Sequence, residues 1–128
     1  MSSEAFPSLL LVEDGPLTLL STRAALEEEG YTVVAVRHGA VALNALERPF
    51  GGLITDIRLP GPLDGWQIAR EARTRWPGIP VIYVTGEGDV GWADNKVSDS
   101  LILHKPYTRT NLLDAVGKLV GQRAAVHR

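Results

Sequence analysis

The chain has no cysteine, which removes disulfides, thiolate metal sites and cysteine nucleophiles from consideration and gives no reason to place the protein in an oxidising compartment. It also has no apolar run approaching the length that spans a bilayer. The first residues hold Glu4 and Pro7 and lack a basic start ahead of a long apolar core, so no secretory leader is expected. A cytoplasmic location without membrane contact is the expectation. Charge of one sign is lacking too, since thirteen Lys and Arg stand against fifteen Asp and Glu for a net charge of −2. Direct binding of nucleic acid, which needs a basic stripe to neutralise phosphates, is therefore not expected. The densest basic cluster, Arg70, Arg73 and Arg75, is interrupted by Glu71 and preceded by Asp64, a pattern that predicts a solvated helix face. The three histidines, His38, His104 and His127, have no partners at metal-ligand spacing.

What is present is ordinary globular composition: 45% hydrophobic and 22% charged residues, with eight prolines and thirteen glycines spread along the chain. At 128 residues one domain with one core is expected, ordered over about residues 7–121, with no boundary, repeat or low-complexity stretch and no output domain attached. Short apolar runs at Leu9 to Val12, Tyr31 to Val36, Leu53 to Ile57, Val81 to Val84 and Leu101 to Leu103 predict five strands. The first, third and fourth are leucine-rich or β-branched on successive positions, as strands buried on both faces are.

Between the strands lie helical stripes. Gly39, Ala42, Leu43 and Leu46 stop before Pro49, and Ile68, Ala69, Ala72 and Trp76 stop before Pro77. The clearest stripe is Leu112, Leu113, Val116, Leu119 and Val120, preceded by Thr108 as a candidate cap. Pro16 and Gly30 bracket a first helix from Pro16 to Glu29, although Leu17, Leu19, Leu20 and Leu26 do not share one face and Thr22 would point inward. Gly86, Gly88 and Gly91 predict a loop with a short helix between Gly86 and Ser100. Trp66 and Trp76 fit helix packing, while Trp92 is either a partner contact or a loop anchor. Strands alternating with helices imply an α/β fold with a parallel sheet covered on both faces.

Polar residues interrupt or follow these apolar runs at the same end each time: Glu13 and Asp14, then Asp56, Thr85 and Lys105. The carboxyl edge of an open α/β sheet holds the ligand crevice, so these residues are expected to converge there. Three carboxylates in one pocket raise one another's pKa values, and a hard dication would relieve that repulsion. Oxygen-only donors suit Mg²⁺ or Mn²⁺ rather than zinc. Such a site can orient a phosphoryl group for in-line attack by a carboxylate, with Lys105 and the Thr85 hydroxyl meeting the transferred oxygens.

The stretches LLLVEDG, LITDIRLPGPLDGW, VIYVTGE and LHKPY resemble the receiver domains of response regulators in two-component signalling, over essentially the whole chain. The resemblance implies a doubly wound five-stranded sheet of order 2-1-3-4-5, the flavodoxin-like receiver fold. It makes Glu13 and Asp14 the acidic pair, Asp56 the phospho-acceptor, Thr85 the switch hydroxyl and Lys105 the lysine ahead of a cis-proline at Pro106. It adds the main-chain carbonyl of Arg58 as a metal ligand, and sets Arg58 and Glu87 at the pocket mouth, positions associated in the family with the lifetime of the acyl phosphate. Partners would be a sensor histidine kinase or a histidine phosphotransfer protein, with a downstream protein and an oligomeric state that the sequence does not name.

Three departures from the common pattern stand out. Ile102 occupies the place of the usual aromatic switch residue, three before the lysine; the loop from Pro60 to Gly65 is one residue longer; and the glycine-rich segment replaces much of the fourth helix. Two rival readings are a Mg²⁺-dependent phosphohydrolase and a degenerate receiver that only binds partners. The first needs an acidic residue just past the nucleophile, where Arg58 stands, and the second would lack an acidic residue or the lysine.

Overall fold

The computed structural model describes residues 8–86 and 91–126. Five parallel strands, β1 (Ser8–Val12), β2 (Thr32–Val36), β3 (Gly52–Asp56), β4 (Val81–Thr85) and β5 (Leu101–His104), form one sheet in the order 2-1-3-4-5. They alternate with α1 (Pro16–Glu29), α2 (Gly39–Ala45), α3 (Gly65–Arg75), α4 (Trp92–Asn95) and α5 (Arg109–Val126). Strand bounds depart from the apolar runs by a residue at most ends. β3, for instance, starts at Gly52 and ends on Asp56 rather than Ile57.

The sheet divides the core into two layers because alternate strand side chains point to opposite faces. Leu9, Leu11, Ile54, Ile82 and Val84 pack with Leu26 of α1 and Leu112, Val116 and Leu119 of α5. Leu10, Val12, Leu53, Val81 and Tyr83 pack with Ala42 of α2 and Ile68, Ala69 and Ala72 of α3. Every residue of β3 and of β4 is buried, as strands covered on both faces must be.

The first helix explains its own irregular sequence. Leu17 and Leu20 are 81% and 60% exposed, whereas Thr22 is buried. α5 is capped as its sequence predicts, with the Asn111 amide donating to the Thr108 hydroxyl at 3.0 Å. Among the described residues, the segment between β4 and β5 holds the four-residue α4, entered through Gly91 at φ +85°. Trp92 packs against the α2/α3 core layer with the Lys96 ammonium 4.5 Å above its ring, so it anchors the loop.

The arginines of α3 are not a simple solvated face. Arg73 Nε donates to the Ile79 carbonyl at 2.7 Å, Arg70 reaches the Asn95 carbonyl at 3.3 Å, and Arg75 pairs with Glu71 at 2.9 Å while also bonding the Leu43 carbonyl. Their charge pattern resembles solvation, but guanidinium forks of this length reach main-chain carbonyls of neighbouring segments and tie them down. Among the described residues, no helix is long and apolar enough to cross a membrane.

Candidate functional site

Strand β1 delivers Glu13 and Asp14 to the carboxyl edge of the sheet, β3 ends on Asp56, β4 ends on Thr85, and Lys105 follows β5. Since β1 and β3 are adjacent and β4 and β5 follow in order, these ends form one continuous rim. Carboxylate oxygens of Glu13, Asp14 and Asp56 lie within 4.8 Å of one another. Lys105 Nζ sits 3.2 Å from Asp56 Oδ1 and 2.9 Å from Glu13 Oε1. Glu13 and Asp56 are 2% and 4% exposed, while Asp14 is half-buried and lies nearer solvent.

Backbone contacts fix the acceptor as firmly as its neighbours do. Asp14 N–H approaches Asp56 Oδ2 at 3.4 Å, and the buried Thr55 hydroxyl donates to the Asp56 carbonyl at 2.9 Å. The Ile57 amide donates to Val84 O and the Gly65 amide to Ile57 O. A Cβ at Gly65 would lie 2.1 Å from the Asp56 carbonyl oxygen, so only glycine lets α3 start this close to the strand end. Asp64 caps that helix reciprocally with Gln67.

Burial dominates the electrostatics of the site and, with the Glu13 carboxylate beside it, pushes the Asp56 carboxyl from its ordinary 3.8 up to about 7; Lys105 opposes this only in part. Burial alone would lower the Lys105 pKa, but hydrogen bonding to Glu13 and attraction to Asp56 outweigh it and the pKa is raised. The ammonium stays charged and the carboxylate cluster remains short of positive charge. Three oxygen donors within reach of one point, in a cluster that resists full ionisation, fit a hard dication.

Thr85 is buried at the end of β4, and its carbonyl accepts the Lys105 amide at 2.8 Å. The Lys105–Pro106 peptide is cis. Arg58 is exposed two residues past Asp56. Glu87, expected beside it at the pocket mouth, lies outside the described residues. Ile102 is half-buried and pairs with Tyr83, whose ring packs 4.7 Å from that of Trp66 and whose hydroxyl accepts the Val97 amide. His38 is exposed beside the Pro60–Leu63 loop.

Arg37 is the site residue that sequence reasoning missed. Its Nε and Nη2 donate to the Asp14 carbonyl at 3.3 and 3.0 Å. The available signal was a basic residue directly after β2, on the same sheet edge as the acidic pair.

Comparison with known proteins agrees with this geometry. Residues 9–117 match the family of the response regulator receiver domain. The response regulator receiver protein CpdR of Brucella abortus is 32% identical over 115 residues, which cover 88% of this chain and 95% of that protein. A response regulator receiver protein from Sinorhizobium medicae superposes with a TM-score of 0.89 at 41% identity, covering 95% of this chain and 99% of the other. The receiver domain of a sensor histidine kinase from Pseudomonas aeruginosa, with a magnesium ion coordinated in its active-site cleft, superposes at 0.80 with 31% identity, covering 91% and 99%. Against other curated relatives, among them transcriptional regulators, the chain spans about a quarter of their length (27%). With its strand order, its acidic pocket and its lysine in place, the chain belongs to the response regulator receiver domains of two-component signalling.

Proposed function

We propose that Asp56 accepts a phosphoryl group from the phosphohistidine of a sensor kinase or a phosphotransfer protein, and that the acyl phosphate so formed is the signal this chain passes on by protein contact or phosphorelay. The observation that carries the reading is the Asp56 carboxylate itself: buried, at a strand end, between two further carboxylates and 3.2 Å from an ammonium. A carboxylate oxygen attacks phosphorus, the phosphorus–nitrogen bond to the donor imidazole breaks, and the imidazole leaves with a proton.

Asp14, Asp56 and the Arg58 main-chain carbonyl would hold Mg²⁺ or Mn²⁺, with Glu13 reaching it through water. When bound, the ion neutralises the carboxylates and polarises the phosphoryl oxygens. Lys105 holds positive charge on the opposite side of the acceptor, where charge on the transferred oxygens builds up, and the Thr85 hydroxyl offers a donor from the adjacent strand. Arg58, at the mouth, stands where a phosphohydrolase of this kind needs its acid and base, and it can supply neither. Protein signalling rather than turnover of a small substrate follows.

Intact-mass measurement after incubation with acetyl phosphate tests this. One phosphate adduct is expected with Mg²⁺, none with chelator, and none in Asp56→Asn. An adduct that survives Asp56→Asn, or no adduct under any condition, would overturn the reading.

A further inference from the structure

The Asp14–Gly15 peptide group is held at both ends by charge. Its carbonyl oxygen accepts from the Arg37 guanidinium at 3.0 and 3.3 Å, and its N–H donates to Glu13 Oε2 at 2.8 Å. The same Glu13 carboxylate accepts from Lys105 Nζ, which also contacts Asp56 Oδ1. An unbroken chain therefore runs from an exposed cation, through one peptide group, to a buried carboxylate, the site ammonium and the acceptor. The cation lies at the positive-seeking end of the peptide dipole and the carboxylate at its other end, so each contact strengthens the next.

Two features make this clamp consequential. A peptide group turns by opposed rotation about the ψ of the residue before it and the φ of the residue after it, and the residue after is glycine, which restrains φ least. A Cβ at Gly15 would lie 3.1 Å from Glu13 Oε2, so a side chain there would crowd the carboxylate that the peptide holds. The position that lets Glu13 come close thus also leaves the peptide loose. Glu13 is held by Lys105 on one side and by the Gly15 amide on the other, and Arg37 fixes the carbonyl end of the peptide that supplies this amide.

We propose that Arg37 is a positioning residue for phosphoryl transfer: by pinning the Asp14–Gly15 peptide it orients the Glu13 carboxylate, and through it the Lys105 ammonium, against Asp56. This rests on the reading of Asp56 as the acceptor. Arg37 itself touches none of the reacting atoms. Its guanidinium is exposed, so its removal leaves the core untouched.

The test compares the native chain with Arg37→Ala and Arg37→Lys in the rate of phosphate incorporation across acetyl phosphate concentrations at saturating Mg²⁺. It is read together with the Gly15 amide proton shift and the thermal midpoint. Loss of an outer partner of this kind is expected to lower the limiting rate by about tenfold. The donor concentration for half-maximal rate and the thermal midpoint stay near native, and the Gly15 proton moves upfield as its bond to Glu13 loosens. Arg37→Lys, which keeps one charged donor for the same carbonyl, recovers most of both losses. A native limiting rate in Arg37→Ala, or a loss confined to the donor dependence and erased by high salt, would overturn the proposal, since the second result describes a surface charge that merely attracts an anion. An unmoved Gly15 proton would overturn it too. If the native chain takes no phosphate, the acceptor reading fails first, a result distinct from each of these.

Discussion

The hydroxyl groups of Thr22 and Tyr107 lie 2.5 Å apart and join α1 to the turn that follows Lys105. Thr22 is a polar residue on the buried face of its helix, and burial raises the Tyr107 pKa, so each hydroxyl finds its partner in the other. Removing either hydroxyl leaves the other without its partner. Thr22→Val and Tyr107→Phe are each expected to cost about 1–2 kcal/mol in urea unfolding, and the double variant less than the sum. Additive losses would show that the two hydroxyls do not act as one contact.

Gly65 sets a steric limit on the acceptor. Its absent Cβ would fall 2.1 Å from Asp56 O and 2.8 Å from Ile57 Cα, both backbone atoms that cannot swing aside. Gly65→Ala is expected to destabilise the fold by about 3 kcal/mol and to weaken Mg²⁺ binding, because relief requires the strand end to move. Unchanged stability would mean that α3 starts farther from β3 than it does here.

Metal binding should divide the acidic pair. Glu13 already serves Lys105 and the Gly15 amide, whereas Asp14 is half-buried and faces solvent. Calorimetric titration is expected to show Asp14→Ala weakening Mg²⁺ affinity at least about tenfold and Glu13→Gln weakening it less. Native affinity in Asp14→Ala would misplace the ion.

Stability should depend on pH through Asp56. Its folded pKa is about 7 against an ordinary 3.8, so between roughly pH 4 and 7 the folded chain holds a proton that the unfolded chain has released. The unfolded state binds fewer protons there, and the contribution of Asp56 to stability falls as pH rises through the window. Asp56→Asn, which never ionises, is expected to gain on the native chain across that range, by an amount on the order of a few kcal/mol. Mg²⁺ added near neutral pH should close the gap. A difference independent of pH would show that the carboxyl ionises as it does in water.

Much of this was legible in the residues because strand ends announce themselves. Apolar runs interrupted by Asp56 or ending ahead of Thr85 and Lys105 locate the functional edge, and Thr22, expected to point inward, is buried. Arg37 was not legible, because its role depends on reaching a main-chain carbonyl of a neighbouring strand's loop, and the carbonyl carries no side-chain signature. Arg70 and Arg75 of α3 are exposed as their charge pattern predicts, but the contacts of α3 arginines with Ile79 O and Asn95 O are invisible to charge counting. Gly65 could have been read as a close approach from its place before a capped helix, but what it approaches is set by tertiary packing.

The central claim is that phosphate sits on the Asp56 carboxylate as an acyl phosphate, and borohydride trapping tests it most directly. Hydride reduces an acyl phosphate to an alcohol with release of phosphate, which turns the acceptor aspartate into homoserine. After incubation with a small phosphodonor and Mg²⁺, peptide mapping is expected to find homoserine at position 56 alone, in an amount that tracks the phosphate adduct and disappears with chelator. Homoserine at Asp14 or any other aspartate, or an adduct that borohydride leaves untouched, would contradict the account.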